Sequence, residues 1–241
     1  MILFEMKKIL KSKILLCIFI FNVIGALIGA VIYGANKSVL SNGTQSFVLW
    51  GQMTFFTSQL FLPILFSIIS SISCQFEENN KNWQRLISLP IQPKKLILTK
   101  IQSLALVSLF SQLLLFLLFV ISSQILKVEM IGLNQIVCWC LTGWLATLTI
   151  TSLQTYLNLK FQNFSIPILL SVIFSIFGLM TLFVNKTLFT IFPYNQIVIG
   201  MRGRSLKMFN LTEMFFFLFI NILYISIFYL LSCKELKRRF H

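Results

Sequence analysis

The chain has 241 residues, 57% of them hydrophobic and only 11% charged, with 26 phenylalanines and a formal net charge of +14. The positive charge comes in short clusters beside long apolar runs, which excludes a soluble basic face for nucleic acid and points to anionic lipid headgroups. With one histidine, His241, and no aspartate, the chain offers neither a His-rich zinc site nor an aspartyl pair.

Met1 to Lys13 sets Ile2, Leu3, Phe4, Met6, Ile9 and Leu10 among Glu5 and four lysines. This pattern predicts a short amphipathic helix in the membrane interface. Six apolar runs follow, each near or above the roughly 20 residues that a helix needs to cross a bilayer. They are Ile14–Ala35, Phe47–Cys74, Leu104–Leu126, Gln135–Leu157, Ser165–Val184 and Glu213–Cys233. Backbone groups in lipid must bond within their own segment, and these runs are apolar on all sides, so they are expected to be helices rather than strands of a pore. The expected class is an all-α polytopic membrane protein, with residues 1–241 forming one transmembrane domain. The first run is read as a retained span because five others follow it and no convincing cleavage site does.

Small residues Gly25 and Gly29, with Ala26 and Ala30 beside them, permit close helix contact in the first span. Pro63 predicts a kink in the second. The fourth carries Thr142, Thr147, Thr149, Thr151, Ser152 and Gln154, suited to helix contacts or a partly wet path. No ionisable group sits in mid-span, which disfavours a proton-driven carrier. Cys138 and Cys140 lie two apart and face different directions on a helix, so they read as apolar filler rather than a metal pair. Between the fifth and sixth spans, Asn185 to Thr212 contains a semi-apolar stretch broken by Pro193. Short interfacial or re-entrant helices are expected there, either capping a vestibule or simply connecting.

Basic residues set the orientation. Six spans put both termini on one side, together with Lys7, Lys8, Lys11, Lys13, Lys81, Arg85, Lys94, Lys95, Lys100, Lys160, Lys234, Lys237, Arg238 and Arg239. The other side receives Lys37, Lys127, Lys186, Arg202, Arg204 and Lys207. The bias places both termini in the cytoplasm, and with them the polar insert Glu77 to Lys100.

That insert reads EENNKNWQRLISLPIQPKKLILTK. Taken as a helix over 76–89, Phe76, Trp83, Leu86 and Ile87 share one face. Glu77, Glu78, Lys81, Gln84 and Arg85 fill much of the rest, and Pro90 stops the helix. The acidic pair at its start suits the helix dipole and is unhelpful against anionic lipid. A rigid helix with Trp83 and Arg85 as anchors suits a groove on a protein partner better than a lipid surface.

Glu77, Asn80, Trp83, Leu86, Leu89 and Pro90, followed by Lys94, Lys95 and Lys100, resemble the acidic-to-proline motif of permeases of the type-two ABC exporter superfamily. Many members carry glycine where this chain has Asn80 or Lys81. In length, in N-K-N-W-Q-R-L and in S-L-P-I the chain resembles the small permeases of lantibiotic self-immunity transporters. The resemblance implies six spans, an amphipathic start and a cytoplasmic coupling helix between spans two and three. Its coupling residues would be Phe76, Glu77, Glu78, Asn80, Trp83, Arg85, Leu86, Leu89 and Pro90. It also implies an ABC ATPase dimer that uses ATP and magnesium, a second permease subunit (different or identical), an amphipathic peptide cargo and a bacterial cell membrane. This chain has no G-x-x-x-x-G-K-[ST] loop, so no nucleotide cofactor is expected on it and it is not expected to be an enzyme. A drug exporter, or a non-transporting subunit that sequesters or senses a peptide, shares the same pattern.

Overall fold

A computed structural model describes residues 5, 6, 8, 9, 12–40, 43–78, 83 and 92–239. Six helices in it are long and apolar enough to cross a membrane. They are α1 (Ile14–Ala35), α2 (Gln45–Glu78), α3 (Pro93–Ile125), α4 (Leu133–Phe161), α5 (Ser165–Val184) and, after two short helices, α8 (Leu211–Arg238). The short ones are α6 (Lys186–Ile191) and α7 (Gln196–Gly200), joined by a single 3-10 turn over Pro193–Asn195.

Helices α2 and α4 are the most enclosed, and α8 and α5 the least. This order follows from their side chains. Each buried hydroxyl of α4 has somewhere to go without water: Thr147, Thr151 and Ser152 return a hydrogen bond to a carbonyl three or four residues earlier, and Thr149 reaches Asn221 on α8. Satisfied in this way, a polar stripe can sit at a helix contact inside the bundle. Helix α8 instead turns Phe215, Phe219, Ile222 and Leu230 outward, as a lipid-facing helix does.

Close approach of α1 and α2 depends on Gly29. A Cβ there would fall 2.2 Å from the Met53 Cα and 2.6 Å from the Gln52 carbonyl oxygen. In α2, Thr57–Phe61 form a π turn just before Pro63, with the Leu62 N–H bonded to the Thr57 carbonyl. A proline ring crowds the carbonyl four residues before it, and one extra residue in the turn relieves that crowding.

The connection after α5 is re-entrant. Tyr194, Asn195, Gln196, Ile197 and Met201 are all buried. Gln59 of the π turn donates to the Asn195 Oδ1 at 2.8 Å, Gln154 of α4 donates to the Tyr194 hydroxyl at 2.8 Å, and Asn221 of α8 donates to the Gln196 Oε1 at 3.0 Å. The Trp50 indole donates to the Met201 carbonyl at 2.8 Å and packs edge-on against Phe119, with ring centroids 5.3 Å apart. Polar side chains at such depth are tolerated because other helices supply their hydrogen-bond partners.

Of the N-terminal segment, Glu5, Met6, Lys8 and Ile9 are described and helical. Ile9 belongs to the main core of the bundle, so this face packs on protein.

Candidate functional site

At the end that carries both termini, α2 runs on to Glu78. The acidic pair Glu77 and Glu78 therefore continues α2 and does not open a separate helix. This corrects the dipole argument made from sequence. A carboxylate buried among packed helices costs free energy unless nearby cations compensate it.

Among the described residues they do so through two groups of ion pairs. Glu77 is only 1% exposed and accepts from the Lys8 ammonium at 2.5 Å. Lys8 also reaches Glu5 at 3.2 Å. The second Glu5 oxygen takes the Lys100 ammonium at 3.3 Å. Lys100, on α3, donates further to the Ser73 carbonyl at 2.9 Å and to the Ser73 hydroxyl at 3.1 Å, both on α2. Glu78 accepts from Arg239, just past α8, at 2.6 Å. Three carboxylates thus meet three cations drawn from the N-terminal segment, α2, α3 and the C-terminus.

Glu5 and Lys8 are held in their charged forms by their partners. Burial alone would push the Glu5 carboxyl up, but Lys100 and Lys8 outweigh it and hold the group below its ordinary value. Burial alone would likewise lower Lys8, yet its hydrogen bond to Glu77 and the charge of Glu5 raise it.

Trp83 sits beside this set. The sequence suggests a surface anchor, but the side chain is 3% exposed and packs with Ile97 and Ile101 of α3, Leu159 of α4, and Cys233 and Leu236 of α8. The Lys100 ammonium lies 5.6 Å from the centre of its ring, within cation–π range. An indole gains more by covering these aliphatic side chains than by facing water. Trp83 therefore fastens its segment to three helices from within. Of the other expected coupling residues, Phe76, Glu77 and Glu78 are described, in α2. Asn80, Arg85, Leu86, Leu89 and Pro90 lie outside the described residues.

The sequence reading passed over Lys100 and Glu5 as site residues. One signal for Lys100 was present: it stands three residues after Ile97 and four before Leu104, and so shares their inward face. Glu5 carries no such signal for its tie to α3, because Lys100 is 95 residues away.

A cavity of about 580 Å³ lies at the opposite end, between the start of α8 and the segment from Lys186 to Phe209.

Residues 1–178, well over half of the chain, match the family described as ABC-2 family transporter protein. The chain belongs to this family. No curated protein matches it at a significant level. This ABC-2 protein is accordingly a polytopic membrane permease, a transporter domain rather than a catalytic one, and its six long apolar helices are its candidate spans. The matched part of the ABC-2 chain includes Glu5, Glu77, Trp83 and Lys100. The far cavity, lined from Leu182 onward, lies beyond it.

Proposed function

We propose that this chain is the membrane subunit of an ATP-driven exporter that clears an amphipathic antimicrobial peptide of the lantibiotic type from the producer's membrane and so confers self-immunity. A separate ABC ATPase dimer hydrolyses ATP on the cytoplasmic side, where both termini lie, and a second permease chain completes the path. The segment 76–89 is the coupling element, moved by the ATPase.

One observation supports this reading above the others: the ion-paired knot beside Trp83. A push on the segment that carries Trp83 bears on α3, α4 and α8 through its ring contacts. It bears on α2 and the N-terminal segment through Lys100 and Glu5. A segment fixed in this way can bias a two-state bundle, because movement at one point requires several helices to rearrange together. The basic-residue bias supports the orientation, and the N-K-N-W-Q-R-L and S-L-P-I stretches support the immunity assignment.

The test uses membranes that contain the chain and its ATPase. Arg85→Glu reverses a charge on the coupling segment, and Trp83→Ala empties its inner face. Arg85→Glu is expected to lower co-purification of the ATPase. Trp83→Ala is expected to keep part of that binding and lose peptide-stimulated ATP hydrolysis, with thermal unfolding followed in parallel as the folding control. Unchanged ATPase binding and hydrolysis in both variants would remove the coupling role. Failure of loaded vesicles to export a cationic amphipathic peptide would remove the cargo assignment.

A further inference from the structure

The cavity at the end opposite the termini is amphipathic in a specific way. Phe189, Phe209, Phe216 and Phe217 form much of its wall, and Lys186, Arg202, Arg204 and Glu213 supply its charges. Three cations thus face one carboxylate. Arg202 neutralises that carboxylate, with its Nη2 2.5 Å from the Glu213 Oε2. Neither Lys186 nor Arg204 has an ion pair among the described residues, so their charge is available to a ligand.

Arg202 is held in an unusual place. It follows α7 with φ at +52°, the position of a helix C-terminus where glycine is usual. The Arg202 N–H bonds to the Ile199 carbonyl and the Gly203 N–H to the Val198 carbonyl, which complete this ending. A side chain in the left-handed region costs roughly 1 kcal/mol or more. Here it brings a guanidinium onto the Phe209 ring, 3.7 Å from its centre, with bonds to the Ser205 hydroxyl at 2.9 Å and the Met208 carbonyl at 3.0 Å. Its Nε is buried and has no hydrogen-bond partner among the described residues.

We infer that this cavity binds the phosphate headgroup and proximal chain of an anionic amphiphile from the adjoining leaflet. Guanidinium groups match phosphate geometry, and Arg204 and Lys186 supply the uncompensated charge. Phe216, 44% exposed, and Leu182 give the hydrocarbon its apolar wall. A cavity of about 580 Å³ holds a headgroup and the first methylenes, while the remaining chain stays among the lipids that cover α5 and α8. Its positive charge repels a cationic peptide, so the site is separate from the cargo path proposed above and stands without it.

The experiment uses the purified full chain in neutral detergent, titrated with fluorescent phosphatidylglycerol, fluorescent phosphatidylcholine and inorganic phosphate. Phosphatidylglycerol is expected to bind at least tenfold more tightly than phosphatidylcholine. Lys186→Gln combined with Arg204→Gln is expected to weaken phosphatidylglycerol about tenfold and leave phosphatidylcholine unchanged. Both positions lie outside the buried bonds that hold the re-entrant segment, and an unaltered thermal unfolding profile verifies the fold. Inorganic phosphate is expected to compete only weakly, since it lacks the chain. Equal binding of the two lipids, unchanged affinity in the double variant, or inorganic phosphate binding as tightly as the lipid would each overturn the proposal.

Discussion

The pair Glu5–Lys100 offers a sharp test of the knot at the termini-bearing end. Removing one member of a buried pair costs about 3–5 kcal/mol when nothing else compensates the survivor. Here both survivors keep some help. Glu5 has a side chain 15% exposed and a second partner in Lys8, while Lys100 retains both bonds to Ser73. The expected cost of Glu5→Gln or of Lys100→Met is therefore about 2 kcal/mol, below the bare range. For a chain of this length that lowers the unfolding midpoint by roughly 4–8 °C. The double variant removes both charges at once, so its cost is expected to fall short of the sum by about 1.5 kcal/mol, the coupling of a direct pair. Thermal unfolding of the four proteins in one detergent gives the full cycle. Additive costs, with coupling under about 0.3 kcal/mol, would show that these two side chains do not meet and that the N-terminal segment is not tied to α3.

Four other outcomes follow from the geometry. Gly29→Ala is expected to destabilise the chain by about 1–3 kcal/mol, because its methyl meets backbone that cannot move aside. Gly34→Ala, whose nearest neighbour would be a Leu126 methyl at 3.5 Å, is expected to change nothing under the same thermal assay. Asn221→Ala leaves the Thr149 hydroxyl and the Gln196 Oε1 without their partner and is expected to cost about 2 kcal/mol, with faster hydrogen exchange over residues 193–200 as the marker. The N-terminal clasp is expected to hold across a wide pH range. Glu5, held below its ordinary 4.5, contributes fully above that value and loses its contribution only as pH falls through the lower folded value. Lys8, raised above 10.5, contributes below that value and loses its contribution as pH rises beyond it. Limited proteolysis near Ser12 should therefore stay slow between these limits and accelerate outside them.

The spans were legible because hydropathy over a window of that length leaves little choice. Ile14–Ala35 and Ser165–Val184 coincide with α1 and α5, whose ends are marked by polar residues. Helix and expected span part company where one face differs from the average. Lys94, Lys95 and Lys100 lower the mean hydropathy after Pro93, so the third span was expected to begin at Leu104. Helix α3 starts at Pro93 because Leu96, Ile97 and Ile101 on its inward face still have a core to join. The same averaging hid the role of Glu77: the polar insert was seen, but not that its first turn belongs to α2. Trp83 stands out in the polar insert by composition, but its side chain is buried rather than turned outward. A lone tryptophan in a polar stretch fits a surface or a core equally well until its neighbours from α4 and α8 are known. The re-entrant course after Asn185 was one of two open expectations. Its depth depends on Gln59, Gln154 and Asn221, which no local pattern connects.

The π turn in α2 carries a consequence for any change in chain length there. One surplus residue offsets everything beyond Leu62 by about 100° relative to a regular helix. That offset aims Ser67 at the Pro167 carbonyl, Ser70 at Thr155 and Ser73 at Lys100. Deleting a single residue between Thr57 and Phe61 would leave the segment as oily and as long as any membrane crossing requires. It would also rotate all three serines away from their neighbours, a rearrangement invisible to a hydropathy plot.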